Sequence, residues 1–242
     1  MKRHATRDAR MRIEETIKNA SGLYSIGEAS QFSGVHPAKL RYWIFGTTSQ
    51  SPLRESAITK EEGKFLTFYE FIEALAIKSL RIAGKASLQK IRAAITEASD
   101  KYGIKYPFAQ KDHKTVLIGG EFHIFLEGDG PTGLTGKDKR QKSFKPCLEP
   151  FMDGLKFDDK KMASEYIAYR FGAGDKVITM NPRFCFGEPM VSNTGYTAET
   201  LYKAAIAEGS IDRAAKCYDV DREFIVEACQ YWERLPEFAS KN

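Results

Sequence analysis

The sequence predicts an α+β fold, mainly α, from three observations. Two capping boxes, Ser25-x-x-Glu28 and Thr67-x-x-Glu70, open runs of helical period near the N-terminus. The apolar-rich segment from Val116 to Phe125, turning at Gly119-Gly120, reads as a β-hairpin in the middle. Three short periodic runs between Ala198 and Trp232, each preceded by Thr197, Ser210 or Asp221, read as compact helices at the end. The expected architecture is an N-terminal winged helix-turn-helix, a small β-containing middle and a C-terminal trihelical, helix-turn-helix-like module. The expected boundaries are a basic arm over 1–22, a head over 23–102, a middle over 103–176 and a tail over 177–242, with the hinge near 103–114.

The chain has 242 residues, 42% hydrophobic and 29% charged, within the range of ordinary globular proteins. Its length allows one large domain or two small ones. No apolar run approaches the ~20 residues that span a bilayer, and the first 22 residues are charged without an apolar centre, unlike a secretory signal. Charge is uneven: residues 1–114 hold 20 Lys and Arg against 12 Asp and Glu, a balance of +8, and residues 115–242 hold 17 against 20, a balance of −3. A basic first half suits a polyanion, and a mildly acidic second half suits a different partner. Cys147, Cys185, Cys217 and Cys229 match neither zinc-site nor dense disulfide spacing, so they read as reduced, mostly buried thiols of a cytoplasmic protein. The four histidines form no ligand pair at helical spacing, so no metal is expected.

The first helix starts at Ile26, with Ile26, Ala29 and Phe32 facing inward. Ser33-Gly34 ends it, because Gly34 can adopt the positive φ of a tight turn. Pro37 suits the first turn of the second helix. Leu40 and Ile44 bury, and Lys39, Arg41 and Trp43 fall on or near the outer faces. Two short helices in this order make a helix-turn-helix, whose second helix enters a DNA major groove. Arg41 is the first candidate contact, since guanidinium forks onto a phosphate or a guanine edge. Lys39, Tyr42 and Trp43 follow, with His36 at the helix start; packing of Tyr42 or Trp43 into the core is the alternative.

Gly46 to Lys64 is compatible with a β-hairpin wing, closed by Phe65-Leu66, and with an unstructured loop. In the wing reading Arg54, Lys60 and Lys64 reach phosphates as backbone contacts. Thr67 then opens an amphipathic helix through Phe71, Ala74, Leu75, Ile77 and Leu80 to Ile82, and Gly84 breaks it. Ser87 caps another helix, with Leu88, Ile91, Ala94, Ile95 and Ala98 on one face.

The stretch Glu127 to Lys142 reads as a Gly-rich, charged, mobile loop. Thr132 to Lys137 lacks the spacing of a phosphate-cradling loop, so no nucleotide site is expected. Leu148 to Phe171 carries no clear pattern. Val177 to Met180 reads as a strand, and Asn181 to Pro189 as an aromatic turn that either packs on the tail helices or docks a partner. In the tail, Ala214, Ala215, Val220, Phe224, Ile225 and Ala228 form a common core. Arg213, Lys216 and Arg222 are balanced by Asp212, Asp219, Asp221 and Glu223, so an interface suits the tail better than phosphate. Asp153, Asp158 and Asp159 do not come from separate converging elements, and with no cofactor motif the chain does not read as an enzyme.

Tyr24-Ser25-Ile26, Ala29, Gly34-Val35 and Leu40-Arg41-Tyr42-Trp43, continued by Phe68-Tyr69, Leu75, Ile77, Leu80-Arg81, Ser87-Leu88 and Ile91, resemble MerR-type winged helix-turn-helix domains. Asn181-Pro182, Phe186-Gly187-Glu188-Pro189, Thr194-Gly195, Thr197, Gly209-Ser210, Ala214-Ala215, Tyr218 and Val226-Glu227-Ala228 look like a trihelical, antitoxin-associated domain of formerly unknown function. Together, a MerR-like head, a β-containing middle and this tail are similar to a subgroup of VapB-type antitoxins. The resemblance implies a VapC-type toxin, a PIN-domain ribonuclease, as partner. It further implies double-stranded operator DNA as ligand and a homodimer as the binding form. Whether the tail binds DNA, dimerises or holds toxin stays open. A stand-alone MerR-like regulator that dimerises or senses a ligand through its C-terminal half is the alternative.

Overall fold

The structure, a computed structural model, describes residues 23–53, 65–82, 86–111, 113–118, 121–126, 132–133, 149–172 and 176–238. The chain is α+β. The N-terminal elements are β1 (Leu23–Ser25), α1 (Ile26–Ser33), α2 (Pro37–Phe45), β2 (Phe65–Thr67), α3 (Phe68–Ile82) and α4 (Leu88–Tyr102). Both capping boxes form. Ser25 Oγ accepts the Glu28 N–H while Glu28 accepts the Ser25 N–H, and Thr67 and Glu70 repeat the exchange. Each satisfies helix-end donors that water would otherwise have to serve, an arrangement contributing about 1 kcal/mol.

Helix α3 is the axis of this half. Phe68, Phe71, Ile72, Ala74, Ala76, Ile77 and Leu80 are fully buried, as are Glu70 and Glu73. The expected amphipathic helix is therefore covered nearly all round, because α1, α2, β1 and two later elements pack on different sides of it. Of its buried acids, Glu70 closes the capping box, and Glu73 accepts the Phe108 N–H through Oε1 at 2.7 Å, pinning the segment after α4 onto α3. The strand at Phe65–Thr67 does form, but its partner is β1, in the antiparallel register Leu23↔Thr67. The turn from β2 into α3 is thereby tied to the turn from β1 into α1.

The middle holds β3 (His113–Ile118), β4 (Glu121–Leu126) and β5 (Thr132–Gly133), an antiparallel sheet in that order. The hairpin register places Ile118 opposite Glu121, so the connection is Gly119-Gly120. A short helix α5 (Glu149–Met152) leads into β6 (Leu155–Phe157), β7 (Ala163–Arg170), β8 (Val177–Met180) and β9 (Pro189–Val191), a four-stranded antiparallel meander. Three helices finish the chain: α6 (Ala198–Ala207), α7 (Ile211–Tyr218) and α8 (Arg222–Arg234). Thr197 and Ser210 cap the first two through their side chains.

Two apolar cores result, and the meander feeds both. Leu155, Ala163 and Met180 join the core around α3. Phe171, Ile178 and Val191 join the core formed by Leu201, Ala214, Phe224, Ile225, Ala228 and Tyr231 of the tail helices. The pairing of β7 with β8 shifts register between Ile167 and Tyr169, and Ala168, at that bulge, packs against both cores. A bulge bends its strand, which lets one sheet serve two helical layers. Among the described residues no helix is long and apolar enough to cross a membrane.

Candidate nucleic-acid interface

Gly34 sits at φ 65° and closes α1 through its N–H to the Ser30 carbonyl at 2.8 Å. The Lys78 ammonium, from α3, donates to the Ser33 carbonyl at 2.7 Å; burial lowers its pKa. A cation on the last carbonyls of α1 also complements the helix dipole. Val35 is buried, and His36 then caps α2, its Nδ1 accepting the Ala38 N–H at 3.2 Å. Pro37 occupies the first turn of α2.

Helix α2 buries Leu40, Trp43, Ile44 and Phe45 and exposes Ala38, Lys39 and Arg41. The side chains of Lys39 and Arg41 make no hydrogen bond or ion pair with the described residues. Trp43 is 5% exposed, which corrects its expected place on the outer face. It lies one turn on from Leu40, and the chain returns over it, the Leu53 N–H bonding the Trp43 carbonyl at 2.8 Å. Tyr42 is half-buried and its hydroxyl donates to Gln50 Oε1. Of the expected wing cations, Arg54, Lys60 and Lys64 lie outside the described residues, as do Cys147 and the arm over 1–22.

The surface around α2 also receives the end of the chain: the Phe238 ring stands 5.5 Å from the His36 ring. A second junction joins the two halves. The Tyr24 hydroxyl donates to the Gly187 carbonyl at 2.9 Å, and the Tyr24 ring stacks on Phe71. Burial, followed by the charge of Glu28, raises the Tyr24 pKa well above that of free tyrosine. The aromatic turn thus packs on the N-terminal half through Gly187, with Glu188 and Pro189 beside Thr197, Glu199 and Trp232 of the tail, while Phe184 and Phe186 stand 59% and 70% exposed. Nearby, Phe32 meets the Trp232 ring edge at 6.3 Å. A cleft of about 110 Å³ between them is lined by Glu28, Glu188 and Glu199.

The remaining candidates separate cleanly. Cys185 and Cys217 are exposed and Cys229 half-buried, correcting the expectation of mostly buried thiols; the first rides an outward turn and the second the polar face of α7. Asp158 accepts the N–H groups of Lys160 and Met162, so it shapes a turn, and Asp153 and Asp159 face solvent. In the tail, Arg222 pairs with Asp212 at 2.9 Å. The loop at Thr47–Ser51, the start of the stretch expected to form a wing or an unstructured loop, follows directly on α2. Its only sequence signal is an uninterrupted run of hydroxyl and amide side chains.

Residues 178–232 match the model of a family described as "Protein of unknown function (DUF433)". The crystal structure of Rv2018 from Mycobacterium tuberculosis is similar in fold, with a TM-score of 0.60 at 19% identity, covering 85% of this chain and 96% of that one. No curated protein matches the chain. Residues 178–232 are thus similar to that family, and 85% of the chain shares its fold with a solved mycobacterial protein.

Proposed function

We propose that this chain is the antitoxin of a type II toxin–antitoxin pair. In this reading it binds and neutralises a VapC-like PIN-domain ribonuclease and, as a homodimer, binds and represses its own operator. The DNA half rests on one observation: among the described residues nothing pairs with Lys39 or Arg41, which stand on a helix whose opposite face is locked by Leu40, Trp43 and Ile44. A helix packed on one face with exposed cations on the other suits a major groove. The neighbouring His36 can add a hydrogen bond to phosphate, while the Tyr42 hydroxyl is given to Gln50. The toxin half is supported by the resemblance of the tail to antitoxin-associated domains, and by a tail surface in which acids match bases.

Two measurements test it. Arg41→Ala is expected to weaken binding of the full chain to the duplex upstream of its gene by about tenfold, and to lower the slope of log K against log salt by about 1 if the contact is a phosphate. Unchanged binding would remove α2 from the interface. Co-expression with the neighbouring reading frame should yield a co-purifying complex and relieve growth arrest; failure of both would remove the antitoxin assignment while leaving the DNA reading standing.

A further inference from the structure

The five residues after the Gly46 that ends α2, Thr47 to Ser51, are all exposed, and none carries a negative charge or a large apolar group. Such a loop would ordinarily be slack, yet this one is fastened along its length. Gly46 packs so closely on it that a β-carbon there would meet the Gln50 carbonyl at 2.5 Å and the Pro52 nitrogen at 2.7 Å. The Thr47 N–H bonds the Gln50 carbonyl at 2.8 Å, and Thr47 Oγ1 accepts the Gln50 N–H at 3.1 Å. From α4, Arg92 donates Nη2 to the Ser51 carbonyl at 3.0 Å and Nε to the Pro52 carbonyl at 3.5 Å. The next residue, Leu53, is buried and bonded to Trp43.

The loop also presents one aimed donor. Tyr42, adjacent to Arg41 on α2, donates to Gln50 Oε1, so among the described residues the Gln50 amide –NH2 is the donor that remains for a ligand. Hydroxyl and amide donors on backbone held in advance are the chemistry used to grip phosphate oxygens, and holding them in advance lowers the ordering cost of binding. We propose that the Thr47–Ser51 loop is a second, preformed DNA contact, in which Gln50 donates to a backbone phosphate oxygen and Arg92 is the positioning residue that holds the loop. The proposal rests on the DNA-binding reading of α2 and adds an uncharged contact set beside its cations.

Charge gives the test its resolution. The full chain is titrated with a labelled duplex carrying the sequence upstream of its gene, and with a scrambled duplex of equal length, over a series of salt concentrations. Gln50→Ala is expected to weaken binding to both duplexes by about three- to tenfold. The salt slope should stay unchanged, because a neutral donor displaces no counterion. Arg92→Lys keeps the charge and loses the fork onto two carbonyls; it should give a similar loss, again with unchanged slope. The double variant should lose little more than the worse single one, since both act through one loop. Binding of Gln50→Ala within about twofold of wild type, while Arg41→Ala still weakens binding, would overturn the loop assignment alone. Absence of wild-type binding to either duplex would overturn the DNA reading and the loop with it.

Discussion

Single side chains at the junction of the two halves carry measurable consequences. Burial, reinforced by the charges of Glu199 and Glu28, raises the pKa of Glu188 above the ordinary 4.5, and Lys203 opposes this. Lys203 is itself paired with Glu199 at 2.7 Å, which weakens its help to Glu188. A raised folded-state pKa means the folded chain favours the protonated acid. The stability this group contributes is complete below pH 4.5 and is lost as pH rises through the folded value. Glu188→Gln fixes the neutral form and should raise the melting midpoint at neutral pH by about a degree or two. The gain should vanish near about pH 4, where the wild-type acid already holds its proton. A gain that persists in acid would mean that the amide helps through new hydrogen bonds instead.

Among the elements, the turn between α1 and α2 depends on a glycine in left-handed backbone. A β-carbon on Gly34 would sit in left-handed backbone and meet the Lys78 nitrogen at 2.9 Å, displacing it from the Ser33 carbonyl. Gly34→Ala should cost about 1–2 kcal/mol and lower the melting midpoint by about 3–6 °C in a thermal scan. This turn was legible from sequence because Gly, Pro and a capping box each constrain backbone locally. The tail helices were legible for the same reason, through Thr197, Ser210 and the Asp219 turn, which adopts φ 50°. Strand β7 was not. Its eight residues are nearly all half-covered on both faces, so no period-two pattern survives in Ala163–Arg170. The outward assignment of Trp43 failed because Trp43 lies one turn on from Leu40 and shares its buried face, where the Leu53 N–H also bonds its carbonyl. The partner of β2 was likewise hidden, because Phe65–Thr67 is far too short to announce which distant strand it joins.

At the scale of the whole molecule, the meander makes two cores interdependent. Ala168 touches both, and β8 gives Met180 to one and Ile178 to the other. The chain has two tryptophans, one in each: Trp43 within the core around α3 and Trp232 against the tail core. Single-tryptophan variants, Trp43→Phe and Trp232→Phe, should therefore report urea midpoints that coincide with each variant's own circular dichroism transition, as one cooperative unit requires. Separated midpoints would show that the cores unfold independently. The Tyr24–Gly187 contact adds a constraint of another kind. Gly187 stands at φ 89°, and any β-carbon there would overlap the Tyr24 hydroxyl. Evolutionary drift at one position is thus answerable to the other across 163 residues of chain. In related sequences the pair should covary, a larger residue at position 187 arising only where the tyrosine at 24 has been lost.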